Sequence, residues 1–135
     1  MALQFSVAVR NAMLDAIETT IWTSAVLKIR TGAPPASVAT ADSGTVLATL
    51  TLPSDWMAAA SAGSKAKSGT WEDASADAAG TAAHYRIYAS DGTTAHLQGT
   101  VTATGGGGDL TVDNVVFAAG QSFTVTSYSW TAANS

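Results

Sequence analysis

The chain has 135 residues and no cysteine, and its ten acidic, six basic and two histidine residues give a net charge of −4 and a pI near 4.7. Such a length reads as one domain over residues 1–135, able to bury roughly two thirds of the surface its unfolded chain exposes. The missing thiols exclude a disulfide framework and a thiolate metal site. The acidic balance and the scattered Lys and Arg residues argue against nucleic acid as a partner.

Charged residues make up 12% of the chain, well below an ordinary soluble domain. The surface must therefore be built largely from Ala, Ser, Thr and Gly, which suits a protein that lives in an assembly. No positive segment precedes Arg10, and the apolar stretch after it is interrupted by Arg10, Asp15 and Glu18. Neither a signal peptide nor a membrane span is expected, and the chain should be made in a cytosol.

Residues 7–21 place Val9, Met13, Ile17 and Ile21 four apart with Leu14 filling the same stripe, the spacing of an amphipathic helix. Ser6 is its expected cap, and Arg10, Asn11, Asp15 and Glu18 lie off the stripe. Residues 25–31 alternate Val26, Lys28 and Arg30 against Leu27 and Ile29, a strand with one wet face. Gly32 ends it, and the loop that follows holds two of the three prolines, so it should cross the surface partly extended. A second strand is expected at residues 45–52, stopped by Pro53, with Ser54 and Asp55 capping one helical turn that carries Trp56 and Met57. Residues 58–80 are small and polar, with a short strand expected within 67–73.

The strongest local signal is a β-hairpin, residues 83–89 and 94–102 around Asp91-Gly92. A two-residue loop would mix apolar and polar groups on both faces. A three-residue loop, Ser90-Asp91-Gly92, pairs Ile87 with Ala95, Tyr85 with Leu97 and Ala83 with Gly99, which makes one face apolar. The other face then carries Tyr88 opposite Thr94, Arg86 opposite His96, and His84 opposite Gln98. Beyond the glycine run at 105–108, strands are expected at 110–113 and 115–117, with a long last strand at 122–131 whose two sides are equally plausible as core. The sum is a mainly β chain, an antiparallel β-sandwich or jelly roll of about seven to eight strands with one N-terminal helix.

Few residues suggest chemistry. His84, Arg86, His96 and Gln98 share the polar hairpin face, but the histidines are diagonal and no carboxylate joins them, so they read as exposed or interface groups. The glycine run lacks the Lys-Ser or Lys-Thr of a phosphate loop. Glu72, Asp73 and Asp77, like Asp109 and Asp113, lack the ligand spacing of an EF-hand. No nucleophile elbow or triad spacing is present, and no catalytic residue, cofactor or metal is expected. The four tryptophans, Trp22, Trp56, Trp71 and Trp130, are many for a chain this poor in large side chains, and each suits either core or interface.

Several stretches, among them RNAMLDAIETTI, SAVLKIRTGAPP, SGTWEDASADAAGTAAHYRIY and GGGGDLTVDNVVFAAGQSFTVTSYSWT, resemble a family of small virion structural proteins of tailed bacteriophages. The likeness covers nearly the whole chain. It implies a virion protein made in the bacterial host cytoplasm, with capsid decoration or cementing proteins as the nearest analogue. Val38 and Ala95 stand where the family pattern has cysteine, and Trp22 where it has glycine. The expected function is a non-enzymatic protein that binds phage capsid or other virion proteins as a homo-oligomer, without nucleic acid or membrane. The alternative is a carbohydrate- or receptor-binding module of a tail fibre. The candidate contact surface comprises His84, Arg86, Tyr88, His96, Gln98, Trp22 and Trp130.

Overall fold

A computed structural model describes residues 3–133. The chain runs as one helix, α1 (Val7–Ile21), then ten strands: β1 (Val26–Thr31), β2 (Val46–Thr51), β3 (Ser64–Ala66), β4 (Trp71–Asp73), β5 (Gly80–Tyr88), β6 (Ala95–Ala103), β7 (Leu110–Val112), β8 (Val116–Phe117), β9 (Phe123–Val125) and β10 (Ser129–Thr131). The mainly β expectation with one N-terminal helix is met, but with ten strands rather than seven or eight. The principal sheet has the order β2-β1-β5-β6-β7, with β8 pairing a further part of β5, and two ribbons, β10-β3 and β4-β9, complete the chain. The long last strand expected at 122–131 divides in two. Phe123 and Val125 are buried, and so is Tyr128, three residues on. That odd step breaks the two-residue period of a single strand, so β9 and β10 join different partners. No helical turn forms at Ser54: Trp56 and Met57 are buried, and Met57 bridges Lys67 in antiparallel fashion.

The hairpin forms in a register that differs from the expected one by two residues. Ile87 faces Leu97, Tyr85 faces Gly99, and Arg86 faces Gln98. The loop between the Ala89–Thr94 pair is one residue longer than expected, because Asp91 folds back to accept bonds from the Thr93 and Thr94 amides at 2.8 and 2.9 Å. A bulge at Ile87/Tyr88 then leaves His96 as the extra residue of β6. Two single-residue shifts restore parity, so the division into two faces survives although the partners change.

β6 and β7 are parallel although only residues 104–109 join them. A parallel pair ordinarily needs a crossover of a dozen or more residues. The glycine run allows the shortcut: Gly105 and Gly107 take φ of 89° and 80°, and a Cβ on Gly106 would lie 2.7 Å from the Thr102 side chain. Below the sheet, Trp56, Trp71, Tyr85 and Tyr128 form a continuous aromatic cluster. Its ring centroids lie 5.5 to 6.0 Å apart and its planes are tilted or edge-on, geometries worth ~0.5–1.5 kcal/mol per pair beyond area burial. Trp130 of β10 packs edge-on against Trp56 and Tyr128, 5.7 and 6.0 Å away, so the cluster ties both ribbons to the principal sheet.

Candidate functional site

The polar hairpin face is not a surface. His84 and Tyr88 are fully buried and Arg86 is 2% exposed, because the proline-bearing loop at residues 32–44 folds over them. Arg86 holds that loop from beneath. Its guanidinium donates to Asp42 Oδ1 at 2.8 Å, to the Ser37 and Thr40 carbonyls at 3.0 and 2.9 Å, and through two nitrogens to Gln98 Oε1. Gln98 in turn donates to the Pro35 carbonyl at 2.7 Å. Asp42 also accepts from Arg30 at 2.9 Å and from the Tyr88 hydroxyl at 2.8 Å. Partial burial alone would raise the Asp42 carboxyl, but the Tyr88 hydrogen bond and the two guanidiniums outweigh it and hold it below its ordinary value. His84 Nδ1 donates to the Gly32 carbonyl at 2.7 Å, at the base of the same loop. The wet face expected on β1 is closed too, since Arg30 is 6% exposed.

This corrects the expected contact surface. His84, Arg86 and Tyr88 are internal groups that fix a loop, and Gln98 is half-buried in the same network. His96 and Trp22 are exposed, and Trp130 is half-buried. The acidic stretch is occupied as well. Asp73 accepts from the Thr49 and Ser75 amides at 2.9 and 3.0 Å, and Asp77 accepts from the Thr49 hydroxyl at 2.7 Å. Among the described residues, no three His, Cys, Asp or Glu side chains converge as metal ligands.

A second polar assembly joins α1 to the ribbons. Lys65, 2% exposed, lies 2.7 Å from Asp15 and 2.8 Å from Glu18, and also donates to the Ala58 carbonyl. Asn11 accepts from the Gly63 amide at 2.9 Å, and Arg10 donates to the Ala132 carbonyl at 3.3 Å. The residues off the expected apolar stripe therefore reach across to the ribbons, although the Asp15 side chain keeps 47% of its exposure. Ser6 caps the helix as expected, accepting from the Val9 amide. Only Leu14 and Ile21 of the stripe are buried, with Ile17 partly so, whereas Val9 and Met13 are 44% and 49% exposed. A helix face can turn its charged groups inward only where partners await them, and Lys65 and the backbone of residues 58–63 supply those partners, which the helical period alone does not reveal.

What remains accessible is of two kinds. The first is a cleft of about 390 Å³ lined by Leu14, Ile17, Leu97, Tyr85, Tyr128, Trp130 and Asp109, among others. Trp130 Nε1 donates to the Tyr128 hydroxyl at 2.8 Å, and the Tyr128 and Tyr85 hydroxyls share a hydrogen bond of 2.7 Å. Three donor hydrogens thus serve two bonds, leaving one hydroxyl hydrogen to spend. Burial pushes both tyrosines above the ordinary phenol value, Tyr85 well above it, so they stay neutral donors. Gly99 makes room for this arrangement, since a Cβ there would lie 2.7 Å from the Tyr85 ring. The second kind is apolar surface: Val7, Val9 and Met13 of α1, Leu3 and Phe5 before it, Trp22 after it, and Val116. No helix among the described residues is long and apolar enough to cross a membrane. No family model, curated protein or solved structure matches the chain significantly.

Proposed function

We propose that the chain is a non-enzymatic structural protein of a tailed-phage virion, a decoration or cementing protein that binds the assembled head as an oligomer. The observation that supports this reading most is the outward apolar arc of α1. A helix that spends its charged groups on internal contacts and leaves valine and methionine exposed has a surface suited to being covered by protein. The sheet with its ribbons, a sandwich-like scaffold, serves to hold that helix rigid. The buried polar groups are engaged in loop and helix anchoring rather than poised in a solvent-open site. Binding only to the finished shell would stabilise the shell by the free energy of that binding. Quantitative composition of purified empty heads tests this: hundreds of copies are expected, with lower heat tolerance in particles that lack the protein. A few copies located at the tail would refute it.

The aromatic cleft supports a second reading, a carbohydrate- or receptor-binding module of a tail fibre. The Tyr85 and Tyr128 hydroxyls with their one spare hydrogen, Trp130, and Asp109, whose Oδ2 already accepts from the Thr100 amide and hydroxyl, line a space of about 390 Å³, the mixture of apolar wall and few polar groups that ligand clefts use. Binding of the isolated protein to a glycan array, lost in Trp130→Ala, would favour it over the first.

A further inference from the structure

From the unpaired strand edges that border the aromatic cleft we infer that it takes an extended peptide of a partner chain, inserted as a strand between β6 and β10. The inference does not depend on the virion reading, since it assigns an occupant to the cleft whatever assembly the chain serves. Hydrogen bonds between antiparallel strands alternate along each strand. The Leu52 amide donates to the Ala25 carbonyl, so β1 turns Ala25, Leu27 and Ile29 toward β2, and Lys28 and Arg30 toward β5. β5 must then turn Tyr85 and Ile87 toward β6, where they meet Gly99 and Leu97. Gln98 and Thr100 consequently aim their main-chain groups away from β5. The Thr100 amide agrees, donating to Asp109 at 2.9 Å.

The same alternation orients β10. The Tyr128 carbonyl accepts from the Lys67 amide, and the Ala132 amide donates to the Gly63 carbonyl. Trp130 therefore bonds toward β3, while Ser129 and Thr131 aim their amides and carbonyls the other way. Both edges border the cleft of about 390 Å³. Leu97 and Gln98 both line it, as do Ser129, Trp130 and Thr131, although consecutive side chains of a strand leave on opposite faces. Gln98 moreover spends its side chain on Arg86 and the Pro35 carbonyl, on the far face of the sheet. What it shows to the cleft is main chain. Among the described residues, β6 and β10 are not paired with each other, and the main-chain groups of Gln98, Ser129 and Thr131 meet no partner.

Elsewhere the principal sheet closes its edges. At β2 the Thr49 amide donates to Asp73, and the Leu47 carbonyl accepts from the Asp77 amide. On β6 itself, β7 covers residues 101–103 and Asp109 covers Thr100. Open edges invite pairing and are ordinarily blunted, so the interval between Gln98 and β10 has the form of a slot for a strand. Amides and carbonyls on two sides suit a polypeptide, whereas a sugar has no donors and acceptors repeating at strand spacing. The walls then set the side chains of the occupant. Its inward residues meet Leu14, Ile17 and Leu97, apart from one that accepts the spare hydrogen of the Tyr85 and Tyr128 hydroxyls. That chemistry is an extended segment, free of acidic residues beside Asp109, with an apolar, a hydroxyl or amide, and an apolar residue at alternate positions.

The probe is a pool of blocked pentapeptides with valine, isoleucine or leucine at both ends, threonine at the second and fourth positions, and serine, threonine or asparagine at the centre. Titrated into the intact chain and followed by nuclear magnetic resonance, the best member should bind with Kd on the order of 10 µM to 1 mM. At saturation it should slow amide exchange of Gln98, Ser129 and Thr131 at least ~tenfold. Because both edges bond the insert, N-methylation at any of the three central residues should weaken binding at least ~tenfold. Thr131→Pro removes one amide of the slot, at a place where a strand edge tolerates proline, and should weaken binding by a similar factor. The N-methyl series keeps its force even where that variant folds poorly. No binding by any member up to ~5 mM, binding that leaves those three amides unprotected, or indifference to N-methylation would overturn the proposal. So would loss at alternate positions alone, which means pairing with a single edge. N-acetylglucosamine and maltose are titrated alongside; a sugar that shifts the Tyr128 and Trp130 resonances where no peptide does gives the cleft to the glycan reading and overturns the insertion.

Discussion

Trp22 and Asp42 show how single residues carry opposite signs of energy. Trp22 occupies backbone space that costs a non-glycine residue about 1–3 kcal/mol, and its ring, 67% exposed, recovers little by burial. Its carbonyl receives the Trp56 indole at 2.9 Å, a bond that any residue can supply. Trp22→Gly should therefore stabilise the monomer by about 1 kcal/mol or more, seen as a higher thermal midpoint at dilution; an unchanged or lower midpoint would contradict the strain. Asp42 does the reverse. It is the carboxylate against which Arg30 and Arg86 are set, at 2.9 and 2.8 Å, with guanidinium side chains 8% and 2% exposed. Asp42→Ala leaves two buried cations unneutralised, and should cost about 2–4 kcal/mol once the partial exposure of Asp42 is allowed for. Urea denaturation measures that cost, and limited proteolysis should find the loop at residues 32–44 opened. A loss under about 1 kcal/mol would show that the loop is held by its backbone contacts instead. The sequence placed Arg86, Tyr88 and His84 correctly on one polar face. It could not show that a proline-bearing loop supplies carbonyls and Asp42 to that face, because those partners lie more than forty residues away.

At the scale of elements, α1 is the instructive case. Its limits, its cap and its period are all local, and all three are visible in residues 6–21. Its orientation is not local, since it is decided by Lys65 and the backbone of residues 58–63. Opposing effects act on Lys65: burial alone would lower its pKa, and the bonds to Asp15 and Glu18 outweigh it, so the value lies above the ordinary one. A raised ammonium contributes stability in full below the unfolded lysine value of about 10.4 and loses it as pH climbs through the folded value. The docking of α1 should therefore weaken above about pH 10. Tyr85, Tyr88 and Tyr128, also raised chiefly by burial, act in the same direction, so the contribution of Lys65 must be isolated by comparison. Amide exchange of α1 followed from pH 8 to 11 in the wild type and in Lys65→Met does so. The wild-type helix should lose protection more steeply, and parallel profiles would refute the assignment. The hairpin was more legible because its signals are close in sequence. Its turn position and its two faces followed from Asp91-Gly92 and alternation, whereas its loop length and the compensating bulge at His96 did not.

For the molecule as a whole, the long strands of the principal sheet were readable, and so were segments of the ribbons within 67–73 and 122–131, but the pairing of the ribbons was not. β1, β2, β5 and β6 carry six to nine residues each, while β3, β4, β9 and β10 have three. Three residues show no periodicity, and the ribbons pair segments roughly fifty or more positions apart. Their cohesion comes from the aromatic cluster and from carboxylates that accept bonds across the fold, which gives the molecule a defined response to acid. Asp91 is drawn down to about 2, first by the Thr94 hydroxyl and then by the Thr94 and Thr93 amides. Asp15 is lowered chiefly by its bond from Lys65, and Asp42 is lowered by Tyr88 and the two arginines against the pull of its own burial. For carboxyls depressed in the folded state, the stability gained is present above the unfolded value near 4 and is lost as pH falls through the folded values. The urea midpoint should thus hold steady from about pH 5 to pH 8 and drop between about pH 4 and pH 2. Asp42→Asn should lower the plateau and make the acid limb shallower, because the variant has one fewer depressed carboxyl to protonate. Its deficit relative to wild type should shrink as pH falls, and a deficit that stays constant down to pH 2 would mean that the charge of Asp42 contributes nothing and that shape alone seats the loop.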